Sequence, residues 1–202
     1  MIVSWDVLDD GSPSLAAHVQ EYDASPPVSS LMIDALPSHR HPDREALACY
    51  LAFGRWTSGD LVLPEGPSPL VAEAIERDSL PTRVRPREVI YTPRSLPQGR
   101  HRVSVVDAVP SAPCADRLLA VVPSPTAKGV FASGRQLIIP SNAFALGDGT
   151  TSRRRALLAV AVLFAADIDA DVLCLSGGRL PQEEAARLGD LLQCVNLQLD
   201  VI

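Results

Sequence analysis

The spacing of apolar positions changes along this chain. Up to about residue 140 they come in short runs cut by proline, and beyond it they form helix-length stripes. Met1 to Leu8, Leu15 to Tyr22, Leu31 to Leu36 and residues 57–63 read as short strands. Val84 to Tyr91 and His101 to Val106 do so too. The second of these alternates cleanly through Arg102, Val103, Ser104 and Val105, and Pro86 puts the first at a sheet edge. Two helices start at a proline, whose missing N–H costs nothing in a first turn. Pro42 opens a helix over Asp43 to Phe53 that stops at Gly54. Ser68-Pro69 opens another over 69–78, with Val71, Ala74 and Ile75 on one face.

The later pattern is βα-like. Arg117 to Val122 is a compact strand closed by Pro123, and Gly129–Ser133 with Gln136–Ile139 forms a hairpin around Ser133-Gly134. A helix over Thr151 to Asp167 leads to a strand at Asp171 to Leu175 and a turn at Ser176-Gly177-Gly178. Pro181 opens a second helix to Val195, and Leu197 to Ile202 is a last strand. Strand, helix and strand in close succession predict a parallel βαβ unit. The expectation is an α/β protein. Residues 1–108 form a smaller α+β region, 109–116 a linker containing Pro110 and Pro113, and 117–202 a Rossmann-like parallel sheet. In the last helix Ala185, Leu188, Leu191, Leu192 and Val195 make one stripe, as a helix lying on a sheet does. The helix before it is apolar on every side from Ala156 to Ala166 and must be covered all round, by the N-terminal region or by another subunit.

Composition narrows the class. The chain has 202 residues, 47% hydrophobic and 21% charged, enough for a sizeable core and close to globular averages. A formal net charge of −6 argues against an electrostatic nucleic-acid binder. The apolar run Ala156–Ala166 is too short to cross a bilayer, and MIVSWDVLDD does not read as a secretory signal. Cys49, Cys114, Cys174 and Cys194 are widely spaced with no C-x-x-C, so a reducing cytoplasm is the simplest compartment. A single lysine, Lys128, stands among the arginines, which reads as coding bias before function.

Candidate chemistry is sparse. Thr151-Ser152-Arg153-Arg154-Arg155 puts three cations at a helix start, against a dipole already positive there. A bound anion would resolve the conflict, and solvated arginines are the plain alternative. Ser176-Gly177-Gly178 follows an apolar strand and could bring backbone N–H groups to a phosphate, though it is neither a P-loop nor G-x-G-x-x-G and reads equally as a turn. His39, His41 and Asp43 have ligand chemistry, but their polar segment reads as a solvated loop and no metal site is assigned. Asp167, Asp169 and Asp171 read as a loop, lacking the glycine and distal glutamate of an EF-hand. No catalytic residue is assigned.

IIPSN, then RRRALLAVAVLFAADIDAD, then VLCLSGG, over residues 135–178, resembles the later half of PP-loop ATPases of the adenine nucleotide α-hydrolase type. The branch it resembles is the queuosine-precursor (7-cyano-7-deazaguanine) synthases, where an Arg-bearing segment leads into an alanine-rich helix and a buried strand. The family's S-G-G-x-D-S loop follows the first strand of the nucleotide domain. Here Ser176-Gly177-Gly178 comes late and continues Arg-Leu-Pro. The resemblance therefore implies a degenerate relative or one piece of a split assembly. The leading expectation is a non-catalytic, nucleotide-binding-like subunit that docks to a protein partner or to its own copies, with a nucleotide or phosphate as ligand. The alternatives are an enzyme acting on a phosphorylated or nucleotide ligand, and a purely structural subunit.

Overall fold

The computed structural model describes residues 1–109, 117–124, 129–147, 149–175 and 180–202. The elements in chain order are β1 (Ile2–Val7), β2 (Pro13–His18), β3 (Ser30–Met32), α1 (Pro42–Phe53), β4 (Asp60–Leu61), α2 (Pro69–Asp78), β5 (Arg85–Pro86), β6 (His101–Val106), β7 (Arg117–Pro123), β8 (Phe131–Ala132), β9 (Gln136–Ser141), α3 (Thr150–Leu163), β10 (Ala170–Leu175), α4 (Gln182–Gln193) and β11 (Gln198–Val201). Short 3-10 turns cover Gly54–Trp56 and Ala143–Leu146.

The fold is mixed α/β. A six-stranded sheet has the order β11-β10-β6-β7-β9-β8 and is parallel except where β8 pairs with β9. Buried strands of a parallel sheet carry near-continuous apolar runs, as β7 does from Leu118 to Val122. β10, α4 and β11 form the expected parallel βαβ unit. β1, β2 and β3 make an antiparallel sheet, and β4 pairs with β5, with a parallel bridge from Ile2 to Val62 just beyond β4. The strands expected over 57–63 and 84–91 shrink to these two short pieces. Pro64 and Pro86 withhold ladder donors there. Asn142 clips the small sheet to the large one: its Oδ1 accepts from Met32 N–H at 2.8 Å and its Nδ2 donates to the Ser30 carbonyl at 2.9 Å.

β6 precedes residues 109–116 in the chain, yet it lies between β10 and β7. One buried apolar cluster runs from Met1 to Leu197 and includes residues on both sides of that segment. From residue 110 on, the expected linker lies outside the described residues.

α3 is buried on every side over Ala156–Leu163, and the cover comes from within the chain. α1 packs along it, β6 and β7 lie beneath, and the turn Ala143–Leu146 closes a further side. A second subunit is not needed to shield this helix. α3 stops at Leu163, short of the expected Asp167. Turns follow to Asp169, whose φ of 56° is left-handed and suits an aspartate. α1 is as deeply set as α3: every residue from Asp43 to Phe53 is buried. It runs on into a 3-10 turn at Gly54, which has helical φ. That glycine serves packing, because a Cβ there would collide with the Tyr50 ring. Among the described residues, no helix is long and apolar enough to cross a membrane.

Candidate functional site: a donor-lined cleft at the start of α1

The start of α3 holds five of the residues singled out for an anion. Gly149 is the N-cap, with no side-chain cap. Thr151 and Ser152 lie in the first turn, and the Ser152 hydroxyl accepts from Arg55. Arg153 donates to Asp107 at 2.7 Å and lies 4.9 Å from the Phe144 ring centre. Arg154 is buried. Arg155 reaches Glu184 at 2.7 Å and Asp78 at 3.0 Å. Carboxylates from β6's end, α2 and α4 thus supply negative charge to this positive helix terminus. Ser176, Gly177 and Gly178 lie outside the described residues, so the second half of the expected site is not described.

Asp78 is the hub of that network. It is buried and also accepts from Tyr50 Oη at 2.6 Å and Arg187 Nε at 2.9 Å. Burial alone would push its carboxyl up. Hydrogen bonding and charge from Arg155, with Tyr50 and Arg187, outweigh burial and hold it below the ordinary carboxylate value. The cluster joins α1, α2, α3 and α4, and its bonds are mutually satisfied.

A different arrangement surrounds the start of α1. His39, His41 and Asp43 are not a solvated loop as a group. His41 is 9% exposed and Asp43 3% exposed. They also separate chemically. His39 pairs with Asp167 at 3.3 Å, Asp43 Oδ1 accepts from Ser68 N–H at 2.6 Å, and His41 caps the helix. The His41 Nδ1 accepts from Asp43 N–H at 3.2 Å. Burial lowers the His41 pKa; the Asp43 carboxylate pulls the other way, and the charges of Arg44 and Arg94 add to the lowering. The ring is therefore neutral at pH 7, and its proton sits on Nε2 because Nδ1 is an acceptor. That Nε2 is buried and has no hydrogen-bond partner.

Arg44 lies one turn on, at i+3, on the same helix face. It is 2% exposed. Nη2 donates to the Pro97 carbonyl at 2.8 Å, while Nε and Nη1 are buried without partners. Burial pulls its pKa down from the ordinary arginine value, but a guanidinium does not deprotonate in a protein. The nearby carboxylates are engaged elsewhere. Glu45 holds Arg40 and accepts from Trp5 Nε1 at 2.8 Å, and Asp167 accepts from Ser38 N–H at 3.0 Å. Arg44 and His41 line a cleft of about 510 Å³ with Ser38, Arg40, Ser95 and Gln98. Among its described residues, the buried side-chain atoms without a partner are all on Arg44 and His41: the N–H donors Arg44 Nε and Nη1 and His41 Nε2.

No family model, curated protein or solved structure matches the chain. The cleft is therefore read from its own chemistry. Sequence reasoning passed over it, although a signal was present. Ala46 to Phe53 is apolar on every side, so α1 must be covered all round, and Arg44 stands directly before that stretch.

Proposed function

We propose that the chain is a binding subunit that holds a small anionic ligand in the cleft at the start of α1. One observation carries this reading: Arg44 is a buried guanidinium with no carboxylate partner among the described residues, lining a small-molecule-sized cleft whose buried unpartnered side-chain atoms are donors. A buried unpaired charge costs several kcal/mol, and an anionic ligand supplies the partner. The reading narrows that of a non-catalytic, nucleotide-binding-like subunit, with a carboxylate or phosphate group as the recognised part. The parallel unit β10–α4–β11 supports a Rossmann-like sheet as its scaffold. The test is thermal melting of the parent and Arg44→Met with millimolar phosphate and propionate. A ligand at a hundred times its dissociation constant should add roughly 2.7 kcal/mol to the parent and nothing to the variant. Equal shifts in both proteins would remove the cleft as the site.

A further inference from the structure

We infer that the ligand of this cleft is a monoanion with its charge spread over two oxygens, a carboxylate or a phosphodiester, and that phosphomonoesters and nucleoside polyphosphates are excluded. The inference rests on the cleft being an anion site and narrows what that site takes. The charge balance of the lining decides it. Two arginines are described in the lining, Arg40 and Arg44, and the lining imidazole of His39 faces the Asp167 carboxylate at 3.3 Å. Arg40 is already matched: its Nε and Nη2 form a fork on Glu45 at 2.6 and 3.0 Å, and its guanidinium lies 4.9 Å from the Trp5 ring centre. It enters the cleft wall as part of a neutral pair. Among the described residues no carboxylate pairs with Arg44. His41 adds a donor without charge.

Against this stands Asp169, a lining carboxylate 3.4 Å from His101 Nε2. The described lining therefore offers at most one uncompensated positive charge. A monoanion meets that charge and leaves a neutral, hydrogen-bonded site. A dianion brings a second negative charge into a lining that already holds the Asp169 carboxylate, and like charges repel.

Isothermal titration calorimetry at pH 8 with two matched pairs tests this. Phenylacetate is set against phenyl phosphate, and 3′,5′-cyclic AMP against 5′-AMP. At pH 8 the second member of each pair carries two charges. The singly charged member should bind about tenfold or more tightly in at least one pair. Which pair it is tells carboxylate from phosphodiester. Asp169→Asn should narrow the gap by improving the phosphomonoester, and asparagine tolerates the 56° φ. Phosphomonoesters binding as tightly as their partners, with Arg44→Met losing all binding, would overturn the inference and leave the cleft reading standing. A gap unchanged in Asp169→Asn also counts against the inference. Binding by none of the four, or binding that Arg44→Met does not weaken, overturns the cleft reading and the inference with it. Arg44→Gln replaces Arg44→Met if the latter does not fold.

Discussion

Arg44→Met should make the ligand-free protein more stable. In the parent, the guanidinium is 2% exposed and its electrostatic compensation inside the chain is one hydrogen bond to the Pro97 carbonyl. Holding an ion in such a place costs several kcal/mol after relaxation. A charged hydrogen bond returns about 1.5–3 kcal/mol. Methionine has a similar reach, fills irregular space and needs no partner. The net gain is on the order of 1–3 kcal/mol. For a chain of this size it corresponds to a rise of roughly 2–12 °C in melting temperature. The assay is calorimetric or circular-dichroism melting of protein unfolded, dialysed and refolded to strip any retained ligand. Adding a saturating anion should then bring the parent up towards the variant, or past it. A variant that melts more than about 2 °C below the stripped parent would refute the reasoning. It would mean that the guanidinium holds the Pro97 segment and the start of α1 together.

Three further perturbations probe the frame around the cleft. Asp78→Asn should cost about 3–5 kcal/mol, because it leaves Arg155, Arg187 and Tyr50 facing a neutral group in a buried place. The carboxyl is held below its ordinary value in the fold, so its contribution is present above about pH 4 and is lost as pH falls through the folded value. The melting difference between parent and variant should therefore close in acid, and a gap that widens there would count against the network. Ala161→Glu puts a carboxylate at a position with 0% exposure and should abolish soluble expression or lower stability by several kcal/mol; an unchanged melting temperature would show that α3 is exposed there. Arg155→Gln should destabilise at any salt concentration. Arg153→Gln, whose side chain and partner are 48% and 49% exposed, should change stability by about 1 kcal/mol or less, with the effect fading in salt. Equal effects from the two would contradict the burial difference.

Local chemistry made much of the fold legible. Ser68-Pro69 marked the start of α2, the alternation from Arg102 to Val105 marked β6, and the apolar run at β10 followed by the stripe of α4 marked the βαβ unit. Strand order was not legible, because nothing within His101–Val106 says that its neighbours come from residues 117–123 and 170–175. Ends of elements were misjudged where tertiary contacts decide them, as at Leu163. At the start of α3, arginines in sequence suggested convergence on a ligand, and folding brought Asp78 and Glu184 to Arg155 from distant segments. The cleft was missed because polar residues at a helix start ordinarily face water. Burial of the first turn of α1 follows only once α3, more than a hundred residues later, is laid along it.

That pairing of α1 with α3 also sets an order of events on the ribosome. Once Phe53 has emerged, about 110 further residues must be made before α3 is complete, which takes roughly 5–20 s at ordinary rates. Throughout that interval α1 presents apolar side chains on every face with nothing to cover the α3 side, and β6 waits without β7 or β10 to flank it. The first hundred residues therefore cannot complete the cover that α3 gives α1 in the finished fold. Until the last third arrives the nascent chain carries exposed apolar surface, and truncation before Leu163 should raise its tendency to aggregate.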